Sequence, residues 1–273
     1  MILDFHTHCF PDTLAPKAIA ALTATSAPFG YTPLTDGTVG GLLASMDRAG
    51  IDRAVVCNIA TNARQMSRVN DFAIATAQSQ PRLIPFGSIH PEATEAEMDT
   101  EFNRLQAAGI VGIKIHPDYV KVNVDDPSFA PIFARCEARG MIVVTHAGFD
   151  PVSPDHIHCP PEGILRVMAD FPKLKLVAAH TGGFNEESKT LELLCGTSVY
   201  IDTSLSAIRV NQAEQLRAIL RLHDPNRILF ATDTPWSSSK KEIAFIRETE
   251  LGEKLTDKIF HGNAEALLSS CTR

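Results

Sequence analysis

The sequence predicts an α/β fold, a (β/α)8 barrel in which eight parallel strands alternate with helices. Three observations support this: eight short apolar segments, helical periodicity between them, and a spacing of mostly about thirty residues, the length of one strand-and-helix unit. We expect residues 1–273 to form one such domain, a distorted barrel with extended loops after strands 1 and 5.

The apolar segments are rich in β-branched residues and nearly continuous, which is typical of strands that helices cover on both faces. In chain order they are Ile2–Phe5, Arg53–Ile59, Leu83–Ile89, Val111–Ile115, Met141–Thr145, Leu174–Ala179, Val199–Thr203 and Ile228–Thr232. An open doubly wound sheet is the alternative, but no G-x-G-x-x-G follows an early strand.

The stretches between the strands repeat apolar residues at helical spacing. The clearest are Thr94–Ala108, Ser128–Arg139, Pro161–Ala169 and Gln212–Leu222. Two connections, Cys9–Asp36 and Gly148–Pro161, are longer than the rest. Length inserted after a barrel strand falls on the face where active sites form, so we expect these loops to shape a substrate pocket, with solvated padding as the alternative.

The composition excludes several classes of function. With 44% hydrophobic residues and a net charge of -7, the chain has ample core material and no general attraction for nucleic acid or an anionic membrane. No apolar run is long enough to span a bilayer, and the opening MILDFHTHCF lacks the features of a signal peptide. The six cysteines form no C-x-x-C pair. We therefore expect a cytoplasmic protein with free thiols and a small-molecule substrate.

Polar residues recur where the predicted strands end. His6 and His8 share one face, because side chains two apart on a strand point the same way, although H-x-H alone fits two hydrogen-bonded histidines equally well. Later strands end in Lys114 and His116, in His146, in His180 and in Asp233. Since the carboxyl ends of parallel strands meet at one mouth, these buried polar groups need a common partner.

A divalent cation would supply that partner. Strands 1 and 8 are neighbours in a closed barrel, so Asp233 can approach His6 and His8 while His146 reaches across the mouth. Imidazole and carboxylate ligands suit Zn²⁺ first, with Mn²⁺, Fe²⁺ and Co²⁺ as alternatives. The sequence thus predicts a site for one or two ions.

Together these motifs resemble the amidohydrolase superfamily, in the amidohydrolase-related branch that contains aminocarboxymuconate-semialdehyde decarboxylase and many hydrolases. The matching elements are His6-Thr7-His8, Gly112-Ile113-Lys114-Ile115-His116-Pro117, His146-Ala147-Gly148, His180-Thr181-Gly182-Gly183, Thr232-Asp233-Thr234-Pro235-Trp236 and Gly262-Asn263-Ala264. They run over nearly the whole chain. The resemblance implies a metal-dependent TIM barrel with His6, His8, His146 and Asp233 as metal ligands, and it suggests a homodimer.

Asp233 and His180 are the candidate catalytic residues. A bound divalent ion lowers the pKa of its water from about 15.7 to about 7, and Asp233 would accept the proton as general base. A helix-capping aspartate is the alternative for Asp233. His180 has three open roles: ligand of a second ion, polarising group for a carbonyl, or acid and base; a structural histidine is the alternative.

The role of Lys114 differs between the two types of enzyme that the branch contains. The resemblance implies that in binuclear amidohydrolases a strand 4 lysine is carboxylated and bridges two ions, and Lys114 matches it in position. Decarboxylases of the branch use one ion and lack this lysine. An unmodified Lys114 would instead pair with a substrate carboxylate or with Asp233.

Five other residues complete the set of candidates. His116 and Trp236 are expected to bind substrate, with packing as the alternative for Trp236. His156 and His158 are expected to be solvated loop residues, and Cys57 a core residue.

The first functional prediction is metal-dependent hydrolysis of a small ester, lactone or amide. The alternative is non-oxidative decarboxylation of an aromatic or unsaturated carboxylic acid, in which a carbon is protonated. A non-catalytic metal-binding barrel is disfavoured, because a closed structural site would not need Asp233 and His180 beside an open coordination position.

Overall fold

The computed structural model describes residues 1–271, and these residues alternate between strands and helices throughout. The strands are β1 Leu3–Thr7, β2 Arg53–Cys57, β3 Leu83–Phe86, β4 Gly112–Ile115, β5 Ile142–Thr145, β6 Lys175–Ala178, β7 Tyr200–Asp202 and β8 Ile228–Leu229. The helices are α1 Ala15–Ser26, α2 Val39–Ala49, α3 Met66–Ser79, α4 Glu95–Ala107, α5 Pro117–Val120, α6 Ala130–Arg139, α7 Pro161–Asp170, α8 Glu187–Leu193, α9 Ala213–Leu222, α10 Ser239–Glu248, α11 Glu253–Asp257 and α12 Asn263–Ser269. Over the described part of the chain, no helix is both long enough and apolar enough to cross a membrane.

The strands close into a barrel. Neighbours pair in parallel in chain order, in one run from β1 to β3 and another from β4 to β8. Backbone hydrogen bonds join the runs at both seams. At the first, Gly87 N–H donates to Gly112 O at 3.0 Å and Lys114 N–H donates to Gly87 O at 2.8 Å. At the second, Asp233 N–H donates to His6 O at 2.8 Å. The predicted barrel is confirmed.

Side chains alternate between the barrel interior and the helical shell, as the pleat of a strand requires. Ile142 and Val144 of β5 pack in the interior cluster, while Val143 packs against the helices. In β4, Ile113 and Ile115 both pack outward, so Lys114 between them is turned to the interior and is only 1% exposed. This alternation places a long charged side chain inside the barrel.

Local sequence explains where the helices begin and end. The α4 helix starts after Thr94, whose hydroxyl accepts the Glu97 N–H at 3.3 Å while the Glu97 carboxylate accepts the Thr94 N–H at 2.8 Å. Gly109 and Gly140 follow helices with φ of 74° and 64°, the left-handed conformation in which glycine is favoured. These two ends agree with the sequence pattern.

The connection after β1 differs from the prediction. We expected Cys9–Asp36 to be an extended loop because of its Pro, Thr and Gly content, but it contains α1, a helix of 12 residues. Its sequence APKAIAALTATS has five alanines and a proline in the first turn, both of which favour a helix there. The second long connection, residues 148–160, is irregular as expected.

Gly148 holds the start of that second connection close to the loop after β6. Its φ is 86°, and an added Cβ would lie 2.0 Å from the backbone nitrogen of Phe184. Gly196 has a similar φ of 80°, but an added Cβ would meet nothing within 4 Å. The two glycines therefore share a backbone conformation and differ in the space around them.

We predict that Gly148→Ala will destabilise the fold much more than Gly196→Ala. The control should lose about 1–2 kcal/mol, the cost of a left-handed alanine, whereas Gly148→Ala should lose roughly 1–3 kcal/mol more because the Phe184 backbone must move. Denaturant unfolding of both variants measures the difference. Equal losses would show that the close approach contributes nothing to stability.

Candidate metal centre

The candidate residues from the sequence line one cavity of about 830 Å³ at the carboxyl ends of the strands. They are His6, His8, Lys114, His116, His146, His180, Asp233 and Trp236. The strand-end pattern therefore brings these side chains to the same mouth, although it does not reveal which of them touch.

His6, His8 and Asp233 form the tightest group. The Asp233 Oδ1 atom lies 3.0 Å from His8 Nε2 and 3.5 Å from His6 Nε2. An ion about 2.1 Å from each ligand holds tetrahedral ligand atoms about 3.4 Å apart, so the spacing of this group fits a divalent cation. Two imidazoles and a carboxylate are also the donor set that such an ion takes.

The opposite ring nitrogens of both histidines are already bonded. His6 Nδ1 lies 2.9 Å from Asp202 Oδ2, and His8 Nδ1 lies 2.8 Å from the carbonyl oxygen of Cys57. Each acceptor requires a proton on Nδ1, so a neutral ring presents the lone pair of Nε2 to Asp233. Because a lone pair and a carboxylate oxygen repel each other at 3.0 Å unless a cation lies between them, the tautomers also fit a metal ion.

The backbone of Asp233 aims its side chain at this group. The residue has a φ of 61°, and its carbonyl accepts the Trp236 N–H at 2.7 Å. Burial alone would raise the pKa of Asp233, but its interactions with His6, His8 and Lys114 outweigh burial and lower the pKa. β8 ends at Leu229, earlier than the predicted Thr232, because side chains bond the next backbone groups: Ala231 N–H donates to Thr203 Oγ1 at 3.1 Å and Thr232 N–H donates to Asp4 Oδ1 at 3.0 Å.

Lys114 reaches the same group from the barrel floor. Its Nζ donates to His6 Nε2 at 3.2 Å, so its charge lies beside the candidate ligands. Burial first, and then the charge of Lys114, lowers the pKa of His6. His6 is therefore neutral at physiological pH, as a metal-binding imidazole must be.

His146 lies apart from the tight group. Its Nδ1 is 3.1 Å from His180 Nε2, and its Nε2 is 3.3 Å from the carbonyl oxygen of Phe149 and 3.7 Å from Asp150 Oδ2. The structure thus brings together three of the four ligands that the sequence indicates. The part of His146 in metal binding stays a prediction.

His180 is held at both ring nitrogens. Its Nδ1 is 2.8 Å from the Ser204 hydroxyl, and its Nε2 faces His146. Burial, followed by the neighbouring His146, holds the pKa of His180 well below its usual range. His180 and Thr181 are both left-handed, with φ of 57° and 59°, a costly backbone that proteins retain mostly at functional sites.

A second polar group lies beside His146. The rings of His116 and His146 stack with centroids 4.4 Å apart, and His116 Nε2 lies 3.5 Å from Asp150 Oδ2. His158 Nδ1 is 3.0 Å from Asp118 Oδ1, and its ring is buried. The expectation of a solvated His158 is wrong, because this carboxylate holds it inside; His156 is exposed as expected.

The walls of the cavity are mostly apolar. Trp236 shares them with Phe72 of α3 and with aromatic side chains from several loops, namely Phe10, Tyr31, Phe149 and Phe184. The α1 helix also faces the cavity, through Ala18, Ala21 and Leu22. Cys57 is a buried core residue as expected and also reaches the cavity. A polar floor under apolar walls suits a small molecule with an acidic group and a hydrophobic body.

Sequence reasoning missed two buried aspartates of the site. Asp202 ends β7 and accepts from His6, from the backbone N–H of His180 and from Ser204. Asp4 is two residues before His6, and its carboxylate accepts the Thr232 hydroxyl at 2.6 Å. The strand-end rule that identified the histidines would also have identified Asp202, whereas the irregular pairing of β1 between Asp4 and Thr7 breaks the period of two that would relate Asp4 to His6.

A parallel barrel with this group at its mouth defines a class of metal-dependent TIM-barrel enzymes. The model of the amidohydrolase family matches residues 3–269, and the chain belongs to that family. It is thus an enzyme of the amidohydrolase superfamily.

Similar proteins include decarboxylases. A 2-amino-3-carboxymuconate-6-semialdehyde decarboxylase from Dictyostelium discoideum is 24% identical over an alignment of 230 residues, and the match covers 72% of this chain and 64% of that protein. The match thus spans less than two thirds of the relative.

Solved structures share the fold over nearly the whole chain. An uncharacterised TIM-barrel protein from Bordetella bronchiseptica has a TM-score of 0.75 at 22% identity, covering 100% of this chain and 99% of its own. A 5-carboxyvanillate decarboxylase from Sphingomonas paucimobilis has a TM-score of 0.69 at 19% identity, with 98% of each chain covered. A dihydroxybenzoic acid decarboxylase from a Polaromonas species, solved with manganese and 2-nitroresorcinol, has a TM-score of 0.71 at 16% identity and covers 98% and 96%.

We predict that Asp202→Asn will weaken divalent metal binding about 10- to 100-fold. The amide would keep its oxygen toward His180 and Ser204 and turn its NH₂ toward His6, which would then have to carry its proton on Nε2. Titration of the metal-free protein with Zn²⁺ or Mn²⁺ measures the change. Glu101→Gln, the same substitution at a buried carboxylate of α4, is the control and should bind normally. Unchanged affinity in Asp202→Asn would remove Asp202 from the site.

Proposed function

We propose that this protein is a metal-dependent, non-oxidative decarboxylase of a small aromatic or unsaturated carboxylic acid. The observation that carries the proposal is the position of His180, which lines the mostly apolar cavity and stacks against His6 of the candidate metal group, with ring centroids 5.4 Å apart. The decarboxylases among the similar proteins support the same chemistry. The strand-end residues by themselves favour hydrolysis over decarboxylation, and the proposal reverses that ranking.

Three residues would hold the ion, with His146 as a candidate fourth ligand. His6 and His8 contribute Nε2 atoms, and Asp233 contributes a carboxylate oxygen. When bound, the ion supplies positive charge that holds acidic oxygens of the substrate. Imidazole and carboxylate ligands fit zinc, and the manganese in the Polaromonas decarboxylase supports manganese as an equal candidate.

Decarboxylation replaces the bond from carbon to the carboxylate with a bond to hydrogen, so the site must deliver a proton to that carbon. His180 is placed for this role. Because Ser204 donates its own proton to Asp202, its hydroxyl oxygen accepts the Nδ1–H of His180, which leaves Nε2 to take up a proton and return it. Because the pKa of His180 is held well below its usual range, the resting imidazole is neutral, and Nε2 would take the proton from water or from an acidic group of the substrate before passing it to carbon.

The remaining residues would bind the substrate. Lys114 brings a cation to the floor and, with His116, would pair with a substrate carboxylate through charge-assisted hydrogen bonds. Trp236 and the other aromatic walls would hold the hydrophobic body and exclude water, which weakens the solvation of the carboxylate that departs as carbon dioxide. Action as one domain over residues 1–273, assembly as a homodimer and a cytoplasmic location stay predictions.

Hydrolysis of an ester, lactone or amide is the second candidate. Two contacts favour it: Lys114 Nζ lies 3.2 Å from His6 Nε2, and His146 Nδ1 lies 3.1 Å from His180 Nε2. If Lys114 were carboxylated, it would bridge one ion at His6 and a second ion at His146 and His180, and this arrangement would match the binuclear hydrolase pattern. Asp233 would then act as general base toward water.

We predict that the metal-loaded protein will release carbon dioxide from hydroxylated aromatic acids or unsaturated acids. Carbon dioxide is measured over a panel of such acids, and acid release is measured over a parallel panel of esters, lactones and amides. Acid release from the second panel, with no carbon dioxide from the first, would overturn the proposal in favour of hydrolysis.

Two variants separate chemistry from metal binding. His180→Asn should keep the ion and lose at least about 100-fold in turnover, because it removes the proton donor. Asp233→Asn should lose both metal affinity and turnover. Near-native turnover in His180→Asn would show that another group protonates the carbon.

A further inference from the structure

We propose that Arg209 is a positioning residue that fixes His180 for its reaction by joining the turns after β6 and β7. The proposal rests on the proposed function only in taking His180 as the reacting side chain. Arg209 itself is 4% exposed, and the residues that line the cavity do not include it. It would therefore act through His180 and not on the substrate.

The guanidinium of Arg209 donates to both turns. In the turn after β6, Nη1 donates to the carbonyl oxygen of His180 at 3.3 Å, and Nη2 donates to the Thr181 hydroxyl at 3.1 Å. In the turn after β7, Nη2 donates to the carbonyl oxygen of Ser204 at 3.4 Å, and Nε donates to that of Leu205 at 3.2 Å. One planar group thus bridges two loops of the barrel mouth.

A buried ion pair anchors the guanidinium. Nη1 also donates to Glu187 Oε1 of α8 at 2.9 Å, and both side chains are almost fully buried. The Phe184 ring covers the cation, with its centroid 5.1 Å from Arg209 Cζ. Breaking a buried pair by removing one partner is costly, so Arg209 has a fixed place from which to hold the turns.

Both turns contain strained backbone at the contacted residues. His180, Thr181 and Leu205 have φ between 57° and 59°, a conformation that residues other than glycine rarely adopt. Such conformations persist only when surrounding contacts enforce them. Arg209 bonds directly to these three residues, which makes it the candidate for that enforcement.

The consequence for His180 is geometric. Its Nδ1 is bonded to the hydroxyl of Ser204, and Arg209 holds the main-chain oxygens of both residues. The side chain of Arg209 therefore fixes the positions of both residues that form this hydrogen bond. Without it, the ring would lose the orientation that sets Nε2 against His146 Nδ1 in the cavity wall.

Arg209→Lys separates this role from simple charge pairing. Lysine keeps a cation beside Glu187, but its ammonium is a point charge and cannot reach four acceptors that lie along one plane. Arg227 offers a matched control at the other end of β7. It lies over the Tyr200 ring at 4.8 Å and donates to the carbonyl oxygen of Ser198 at 2.9 Å, away from the cavity.

The test compares Arg209→Lys with Arg227→Lys, both loaded with zinc. Imidazole NMR of ¹⁵N-labelled histidines reports the Nδ1–H of His180, which His180→Asn assigns, while buried His223 serves as an internal reference. Arg209→Lys should broaden or shift the His180 signal and leave that of His223 unchanged. In turnover, it should lower kcat up to about 100-fold with little change in KM, because misplacement by about 1 Å has effects of that size.

The outcomes distinguish this proposal from the decarboxylase assignment. A changed His180 signal supports the positioning role even if no acid on the panel is decarboxylated. An unchanged His180 signal in a folded Arg209→Lys variant would overturn it, as would an equal kcat loss in Arg227→Lys. If Arg209→Lys does not fold, Glu187→Gln, which loosens the anchor and keeps the guanidinium, should give the same selective change in His180, and failure to do so would also overturn the proposal.

Discussion

The hydrogen bond from Asp233 N–H to the carbonyl oxygen of His6, at 2.8 Å, is the constraint on which the rest of the site depends. Together with the bonds from Phe5 N–H to Phe230 O at 2.8 Å and from His8 N–H to Thr234 O at 2.7 Å, it closes the barrel between its first and last strands, which are more than two hundred residues apart in the chain. The same bond sets the Asp233 carboxylate against the imidazoles of His6 and His8. Fold closure and assembly of the candidate metal ligands are therefore one event.

Hydrogen bonds within a buried network offset the cost of burying the charged groups at the barrel mouth. His6 pairs with Asp202, whose carboxylate also holds the backbone of His180 and the hydroxyl of Ser204. Burial would raise the pKa of Asp202, but His6 and Ser204 outweigh it and lower the pKa to about 2. Asp4 has fewer cationic neighbours, and burial raises its pKa to about 7. An ion at the centre would add the positive charge that these acidic groups surround.

The barrel could be predicted from sequence because its signals are local and repeated. Eight apolar runs at regular spacing identify the strands, and alternation from Ile113 and Ile115 places Lys114 inside. The strand bounds are less accurate: β8 ends at Leu229 because the side chains of Thr203 and Asp4 accept the backbone N–H groups of Ala231 and Thr232. The sequence pattern does not predict the helix α1, because the Pro, Thr and Gly residues around it are typical of a loop although its own alanines favour a helix.

Contacts between side chains were beyond the sequence pattern, since the pattern places residues at the mouth but does not orient them. His146 shares the mouth with His6 yet pairs with His180, and His158 is buried on Asp118 although it lies in a long loop. Arg209 belongs to none of the sequence motifs that predict the site. Its importance emerges only when the turns after β6 and β7 are seen to meet on one guanidinium.

The choice between decarboxylation and hydrolysis depends on what surrounds Lys114 when metal is bound, and the metal site itself is the first premise of either reaction. Anomalous diffraction from crystals of the zinc- or manganese-loaded protein tests it most directly. We predict a peak about 2.0–2.2 Å from His6 Nε2, His8 Nε2 and a carboxylate oxygen of Asp233. A peak lying instead between His116 and Asp150, or a fully loaded protein without a peak at His6 and His8, would contradict it.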